Sequence, residues 1–235
     1  MDANTVHALV LQLLRWTHFF FGIAWIGHLY YFNFVQGHAE KALDGPMKKV
    51  AVPNYRGRAF WWFRWGAMVT MLSGVTYILY EQFVPSGAPM FKGWFESSKG
   101  LWITFGGGLG LIMWFNVWFK IWPRQQIIIA CIAGQREKPA DFDALVAGAG
   151  KFSRINTYLS IPMLFGMGAR SHFAAFSTVG TLVTMVIVFV VGFGIAFHLV
   201  NQVGGKVGKE FLPAAPPAPP AAPPPAAAAP PPAAK

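Results

Sequence analysis

Four histidines lie within or beside the apolar stretches of this chain, and their imidazoles are the groups best suited to do chemistry there. His18 and His28 lie in the segment RWTHFFFGIAWIGHLYYFNF, and His172 and His198 lie in the last apolar stretch. An imidazole inside a helical bundle can ligate haem or metal, relay a proton or hydrogen-bond a neighbouring helix. Because an unpaired ionisable group is costly at bilayer depth, four of them on two helices favour a functional role.

A b-type haem held by two histidines needs neutral imidazoles on facing helices at similar depth. His18 and His28 are separated by about 15 Å along one helix, so they cannot ligate the same iron. Depth along the helices favours His28 with His198, and His18 with His172 is a second pair only if helix five begins deeper. All four histidines are therefore candidate iron ligands of a haem b. The chain has no C-x-x-C-H motif, which excludes covalently attached haem c.

Arg15 precedes His18 by three residues and lies on nearly the same helix face. Its guanidinium is suited to a haem propionate or a bound carboxylate near the outer surface, which makes it the candidate catalytic residue. The alternative is that the side chain extends outward to the aqueous interface. Asn33 and Asn116 are predicted to form hydrogen bonds between helices, and the run GGGLG (residues 106–110) is predicted to let a neighbouring helix pack closely.

The composition is that of an integral membrane protein, with 54% hydrophobic, 16% aromatic and only 12% charged residues. A helix needs about 20 apolar residues to cross a bilayer. Five segments meet this length or approach it, and they predict an all-α bundle of about five transmembrane helices. The segments are Ala8–Gln36, Phe60–Phe83, Leu101–Trp122, Phe152–Met167 and Phe173–Val203. The fourth is the shortest, and a tilted or partly re-entrant helix is its alternative.

The distribution of basic residues predicts the orientation, because short cytoplasmic loops retain lysine and arginine. Basic residues concentrate after helices one and three, which places the N-terminus outside and the tail in the cytoplasm. The net charge of +10 is divided between loops and does not indicate nucleic-acid binding. Because the N-terminus lacks the layout of a cleaved signal peptide, we expect the first helix to be retained. The predicted domains are a helical domain (1–205) and a disordered Pro/Ala-rich tail (206–235).

Two separated motifs resemble the membrane domain of the membrane-bound urate oxidase (urate hydroxylase) family. They are RWTHFFFGIAWIGHLYYFNFVQ (residues 15–36) and RINTYLSIPMLFGMGARSHF (residues 154–173), and the helix RAFWWFRWGAMVTMLSGVTYILY between them agrees in character. The resemblance implies a bacterial inner-membrane protein of purine catabolism that oxidises urate to 5-hydroxyisourate and passes electrons to a cytochrome c. The family motif falls on Arg15, Trp16, His18, Gly22, Trp25, Gly27, Asn33, Asn156, Ser160, Pro162 and His172.

The motif favours His18 with His172 as the haem pair, whereas depth favours His28 with His198, and both pairs stay open. The family carries a C-terminal cytochrome c domain and a longer membrane region, neither of which is found in this sequence, so we expect a separate electron acceptor. Urate is an anion, and Arg15 near the outer surface is suited to it. The alternative function is a non-catalytic haem b-binding or structural subunit of a larger membrane electron-transfer complex.

Overall fold

Five long helices make up nearly all of the computed structural model, which describes residues 2–83, 91–173 and 177–208. Within these ranges there is no strand. The helices are α1 (Ala3–Ala42), α2 (Gly45–Phe83), α3 (Ser98–Ile132), α4 (Phe142–His172) and α5 (Thr178–Val203). The all-α prediction is confirmed, and nearly all of the predicted Pro/Ala-rich tail lies outside the described residues.

Three of the five helices, α1, α3 and α5, are long and apolar enough to cross a membrane. The other two are long but more polar along their length. Helix α2 begins at Gly45, well before the predicted Phe60, and therefore includes the basic segment that follows α1. Helix α4 likewise extends beyond both ends of its apolar part as one continuous helix. A hydropathy pattern marks the apolar part of a helix, and helical hydrogen bonding continues past it into polar sequence.

The break between α4 and α5 corrects one prediction. His172 is in the last turn of α4, and α5 begins only at Thr178, so placing His172 on helix five was wrong. The α4 helix ends because Phe173 leaves the helical conformation, with φ −129° and ψ 39°. Helix α5 begins where the Ser177 hydroxyl accepts a hydrogen bond from the Gly180 amide at 3.2 Å, a standard helix N-cap.

The helices pack in two groups that share one core. Helix α1 lies along α2, while α4 packs against both α3 and α5. The C-terminal half of α3 contacts α2, and this contact joins the two groups around a cluster of buried apolar side chains. Its members include Trp25, Leu29, Phe60, Phe63, Met113, Val117, Ile121 and Met163.

Three helices contain a π-helical segment, which we call a wide turn: Tyr31–Gln36 in α1, Asn116–Ile121 in α3 and Leu199–Val203 in α5. An asparagine amide donates to a backbone carbonyl just before each of them. The pairs are Asn33 with Leu29 (2.9 Å), Asn156 of α4 with Met113 (2.9 Å) and Asn201 with Phe197 (2.8 Å). A wide turn disturbs the regular hydrogen bonding of the helix, and the amides supply donors to carbonyls at that point.

Helices α3 and α4 meet at Gly106 and Gly166 with almost no space between their backbones. A Cβ atom on Gly106 would lie 3.0 Å from the Met167 amide nitrogen and 3.1 Å from the Gly166 carbonyl carbon. Close approach through small residues stabilises helix pairs in membranes. The predicted packing role of the GGGLG run is confirmed for Gly106, whereas a Cβ atom on the next residue, Gly107, would meet nothing within 4 Å.

We expect Gly106→Ala to lower the free energy of unfolding by about 1–3 kcal/mol, because the added methyl group meets backbone atoms that cannot rotate away. Gly107→Ala is the matched control, and it should leave stability unchanged or raise it by up to about 1 kcal/mol through helix propensity. SDS titration of the purified variants in mild detergent measures both values. Equal effects at the two positions would contradict the close approach.

Candidate functional site

His18 lies between α1 and α2, and a hydrogen bond to a backbone carbonyl of α2 fixes the orientation of its ring. Its Nδ1–H donates to the Thr70 carbonyl at 2.9 Å, which assigns the tautomer and leaves Nε2 with a free lone pair. The ring packs against Gly74, where a Cβ atom would lie only 2.9 Å from it. A backbone carbonyl on Nδ1 is the usual second partner of a histidine that ligates metal through Nε2.

His28 has a similar hydrogen bond but a different environment. Its Nδ1–H donates to the Ala24 carbonyl of its own helix at 2.6 Å. The side chain is half-buried and lines an open groove whose other walls are mostly small or apolar. They are formed by Ile23, Ala24, Gly27, Tyr31 and Ala59. Both helix-one histidines therefore have the anchored ring that a haem ligand needs.

The histidines predicted as their partners are exposed. His172 ends α4, and His198 is the last residue before the wide turn of α5. Among the residues described, no hydrogen bond or ring contact joins any of the four histidines to another. The same residues contain no cluster of three or more His, Cys, Asp or Glu side chains able to hold a metal ion. The fit to haem thus rests on the two helix-one imidazoles, and the choice between the two pairs stays a prediction.

Arg15 belongs to a network that connects four helices. Its guanidinium donates to the Tyr77 hydroxyl at 2.7 Å, and the Arg170 guanidinium lies 4.9 Å from the centre of the Tyr77 ring. Arg170 also pairs with Glu81 at 2.6 Å, and Lys99 reaches the same carboxylate at 3.2 Å. The Arg15 guanidinium therefore already makes one hydrogen bond within the protein.

Polar motif residues in the bundle interior form hydrogen bonds between helices. Asn33 donates to the Ser153 hydroxyl at 2.8 Å, and Tyr30 and Ser160 share a hydrogen bond of 2.9 Å. Both pairs join α1 to α4. Asn116 donates to the Asn156 side-chain oxygen at 2.8 Å, which joins α3 to α4. The predicted interhelical roles of Asn33 and Asn116 are confirmed.

A cavity of about 300 Å³ lies at the end of the bundle where the basic residues after α1 and α3 concentrate, which we call the basic end. All five helices contribute to its lining, and so do all three wide turns. Wide turns of this kind occur frequently at functional sites. The lining includes the polar side chains of Asn33, Gln36, Lys41, Arg56, Ser153 and Arg154.

Glu40 holds one wall of the cavity in place. Its carboxylate accepts hydrogen bonds from Gln36 Nε2 at 2.8 Å and from the Tyr55 hydroxyl at 2.6 Å, and it forms an ion pair with Arg56. Arg56 also donates to the Gln125 side-chain oxygen at 3.3 Å, which ties α1 and α2 to α3. Burial and the Glu40 carboxylate raise the pKa of Tyr55, so its hydroxyl stays protonated and donates.

The charge of the cavity is positive. Its lining contains Lys41, Arg56 and Arg154 but no acidic side chain among the residues that the structure describes. The charge of Arg56 is compensated by Glu40 behind the wall. Within the same residues, no carboxylate lies within ion-pair distance of Lys41 or Arg154. The cavity therefore suits a small anion that also forms hydrogen bonds.

The sequence predictions treated Lys41 and Arg56 only as orientation signals and Arg154 only as a polar residue within the fourth apolar segment. Lys41, Arg56 and Arg154 come from three different helices, and no spacing in the sequence indicates that they meet. The one available signal was the polar pair Asn33 and Gln36 at the end of an apolar run. Wide turns leave no sequence pattern comparable to an N-cap, so their convergence was not predictable.

The fold and these sites define an all-helical protein with three helices of membrane-spanning length and polar groups between its helices. Residues 87–217 match the sequence model of the family described as urate oxidase N-terminal, and this match covers more than half of the chain. The chain belongs to that family. No curated protein and no solved structure matches it.

The family match includes some of the candidate residues and not others. It includes α3, α4 and α5, with the Asn156 motif, His172 and His198. It begins at residue 87, after α1 and α2, so Arg15, His18 and His28 are supported only by the sequence motif and by the local geometry of α1.

Proposed function

We propose that this chain is the membrane domain of a urate-oxidising protein, and the observation that carries the proposal is the family match over residues 87–217. In this proposal all five helices cross the bacterial inner membrane, with the N-terminus outside and the basic end in the cytoplasm. The exposed apolar surfaces of α1, α3 and α5 support it. Ile23, Val186 and Val190 are each more than 60% exposed, as expected for side chains that contact lipid.

Conversion of urate to 5-hydroxyisourate adds the oxygen atom of one water molecule and releases two electrons and two protons. A haem b, when bound, would supply one-electron transfer to a separate acceptor such as a cytochrome c. His18 and His28 are the residues best prepared to hold it, because each ring is anchored through Nδ1. His172 and His198 are the proposed second ligands.

Absorption spectra of the protein expressed with haem supplied test the cofactor. We expect a b-type α band in the dithionite-reduced protein. Its loss in both His18→Ala and His172→Ala would identify the motif pair, and its loss in both His28→Ala and His198→Ala would identify the pair favoured by depth. His38→Ala serves as a control outside both pairs. A wild-type protein without the band contradicts the haem proposal.

Anaerobic turnover tests the reaction itself. Membranes containing the protein, supplied with urate and oxidised cytochrome c, should reduce two cytochromes for each urate consumed, because each accepts one electron. Membranes lacking the protein are the control. A haem-containing protein that leaves urate unchanged with cytochrome c and with artificial acceptors would contradict the proposal and favour the non-catalytic electron-transfer subunit.

A further inference from the structure

Gln36 carries a buried hydrogen-bond acceptor that no group in the described part of the chain satisfies. The residue is only 5% exposed, and it lines the cavity at the basic end. Its Nε2 donates to Glu40, whereas its Oε1 has no partner among the described residues. The amide cannot be reversed, because two oxygen acceptors would then face each other.

An unpaired buried acceptor destabilises a protein. We therefore expect an N–H or O–H group inside the cavity to donate to this oxygen. Arg154 and Lys41 add the second requirement, since their charges are uncompensated and favour a negative ligand. A simple carboxylate such as acetate meets the charge requirement but presents only acceptors to Gln36. A ligand that suits both features is anionic and also carries an N–H or O–H donor.

The cavity also has an apolar part and a limited size. Phe32 and Phe60 both line it, and their rings stack on each other at 4.4 Å between centroids. They make part of the lining apolar, as is usual in ligand sites. The volume of about 300 Å³ is at the small end of the range for ligand sites.

We propose that the cavity at the basic end is the binding site for urate, entered from the cytoplasmic side. Arg154 and Lys41 bind the anionic edge, and Gln36 Oε1 accepts a ring N–H. The choice of urate as the ligand rests on the proposed function, whereas the charge, the unpaired acceptor and the apolar part of the lining are independent of it. This differs from the expectation at Arg15, whose guanidinium already bonds Tyr77 at the opposite end of the bundle.

Equilibrium dialysis of radiolabelled urate against the purified full chain in detergent tests the site. We expect Arg154→Gln and Gln36→Met each to weaken urate binding about tenfold or more. Lys151→Gln is the matched control, because Lys151 is an exposed cation one turn away on α4 and lies outside the cavity lining. It should change the affinity by less than about twofold.

Acetate provides a second control, since it is an anion without N–H donors. It should fail to displace urate at equal concentration. Arg154 is exposed, so its variant is expected to fold, and circular dichroism checks both variants. Urate binding that is absent in the wild type, equal in all variants or displaced by acetate would overturn the site.

Turnover measurements separate this inference from the proposed function. Wild-type protein that oxidises urate, with an unchanged KM in Arg154→Gln and Gln36→Met, overturns the site and leaves the function standing. Urate binding that depends on these two residues, in a protein that does not oxidise urate, supports the site and removes the proposed reaction.

Discussion

Replacing Glu40 by alanine is expected to lower the free energy of unfolding by about 3 kcal/mol, because removal of one partner leaves a poorly solvated charge behind. The Arg56 side chain is 15% exposed, and Glu40 is the carboxylate with which it pairs. The substitution also removes the acceptor used by Tyr55 and Gln36. SDS titration of the purified protein measures the loss.

Two further variants show whether the loss comes from the Glu40 contacts. Glu137→Ala removes the same charge from an exposed position at the basic end, and it should change stability by less than about 0.5 kcal/mol. Glu40→Gln keeps one acceptor oxygen and should fall between the wild type and Glu40→Ala. If Glu40→Ala and Glu137→Ala lower the free energy of unfolding by the same amount, Glu40 does not hold the wall of the cavity.

Asn156→Ala is expected to lower the free energy of unfolding by about 2 kcal/mol. Its side chain is fully buried and makes two hydrogen bonds to α3, one with Asn116 and one with the Met113 carbonyl. Alanine leaves both groups of α3 without their partner, next to a wide turn that depends on them. The same SDS titration measures this variant.

A double-mutant cycle with Asn116→Ala isolates the contact between the two asparagines. We expect a coupling free energy of about 0.6 kcal/mol and no more than about 1.7 kcal/mol, the average and the maximum for interhelical hydrogen bonds in a membrane protein. Asn54→Ala is the control, because Asn54 is exposed and bonds only its own helix. Additive effects of the two buried substitutions would mean that the interhelical hydrogen bond contributes no stability.

The sequence predicts the helical class and the apolar part of each helix, because both follow from composition and hydropathy. It predicts helix ends less well. The extension of α2 back to Gly45 depends on polar residues that continue a helix beyond its apolar part. The start of α5 depends on a single serine cap at Ser177, which lies inside an otherwise apolar stretch.

The candidate residues also differ in how far their roles can be predicted from the sequence. Interhelical roles for Asn33 and Asn116 follow from a polar group in an apolar helix, and the structure confirms both. The haem pairs depend on the depth and rotation of separate helices, which spacing along one chain does not fix. The cavity depends on five helices together, so Arg154 and Gln36 acquire a shared role only in the folded protein.

The wide turn Tyr31–Gln36 sets the rotational phase of the end of α1. A π-helical turn holds about one residue more than an α-helical turn. If Tyr31–Gln36 were regular α-helix instead, that surplus residue would turn everything after it by about 100° relative to the apolar half, because each α-helical residue corresponds to about 100° of rotation. Gln36 and Lys41 would then face away from the cavity, while the exposed apolar surface of α1 stayed where it is. One surplus residue thus lets the same helix keep its apolar face in one direction and turn the residues that follow toward the cavity.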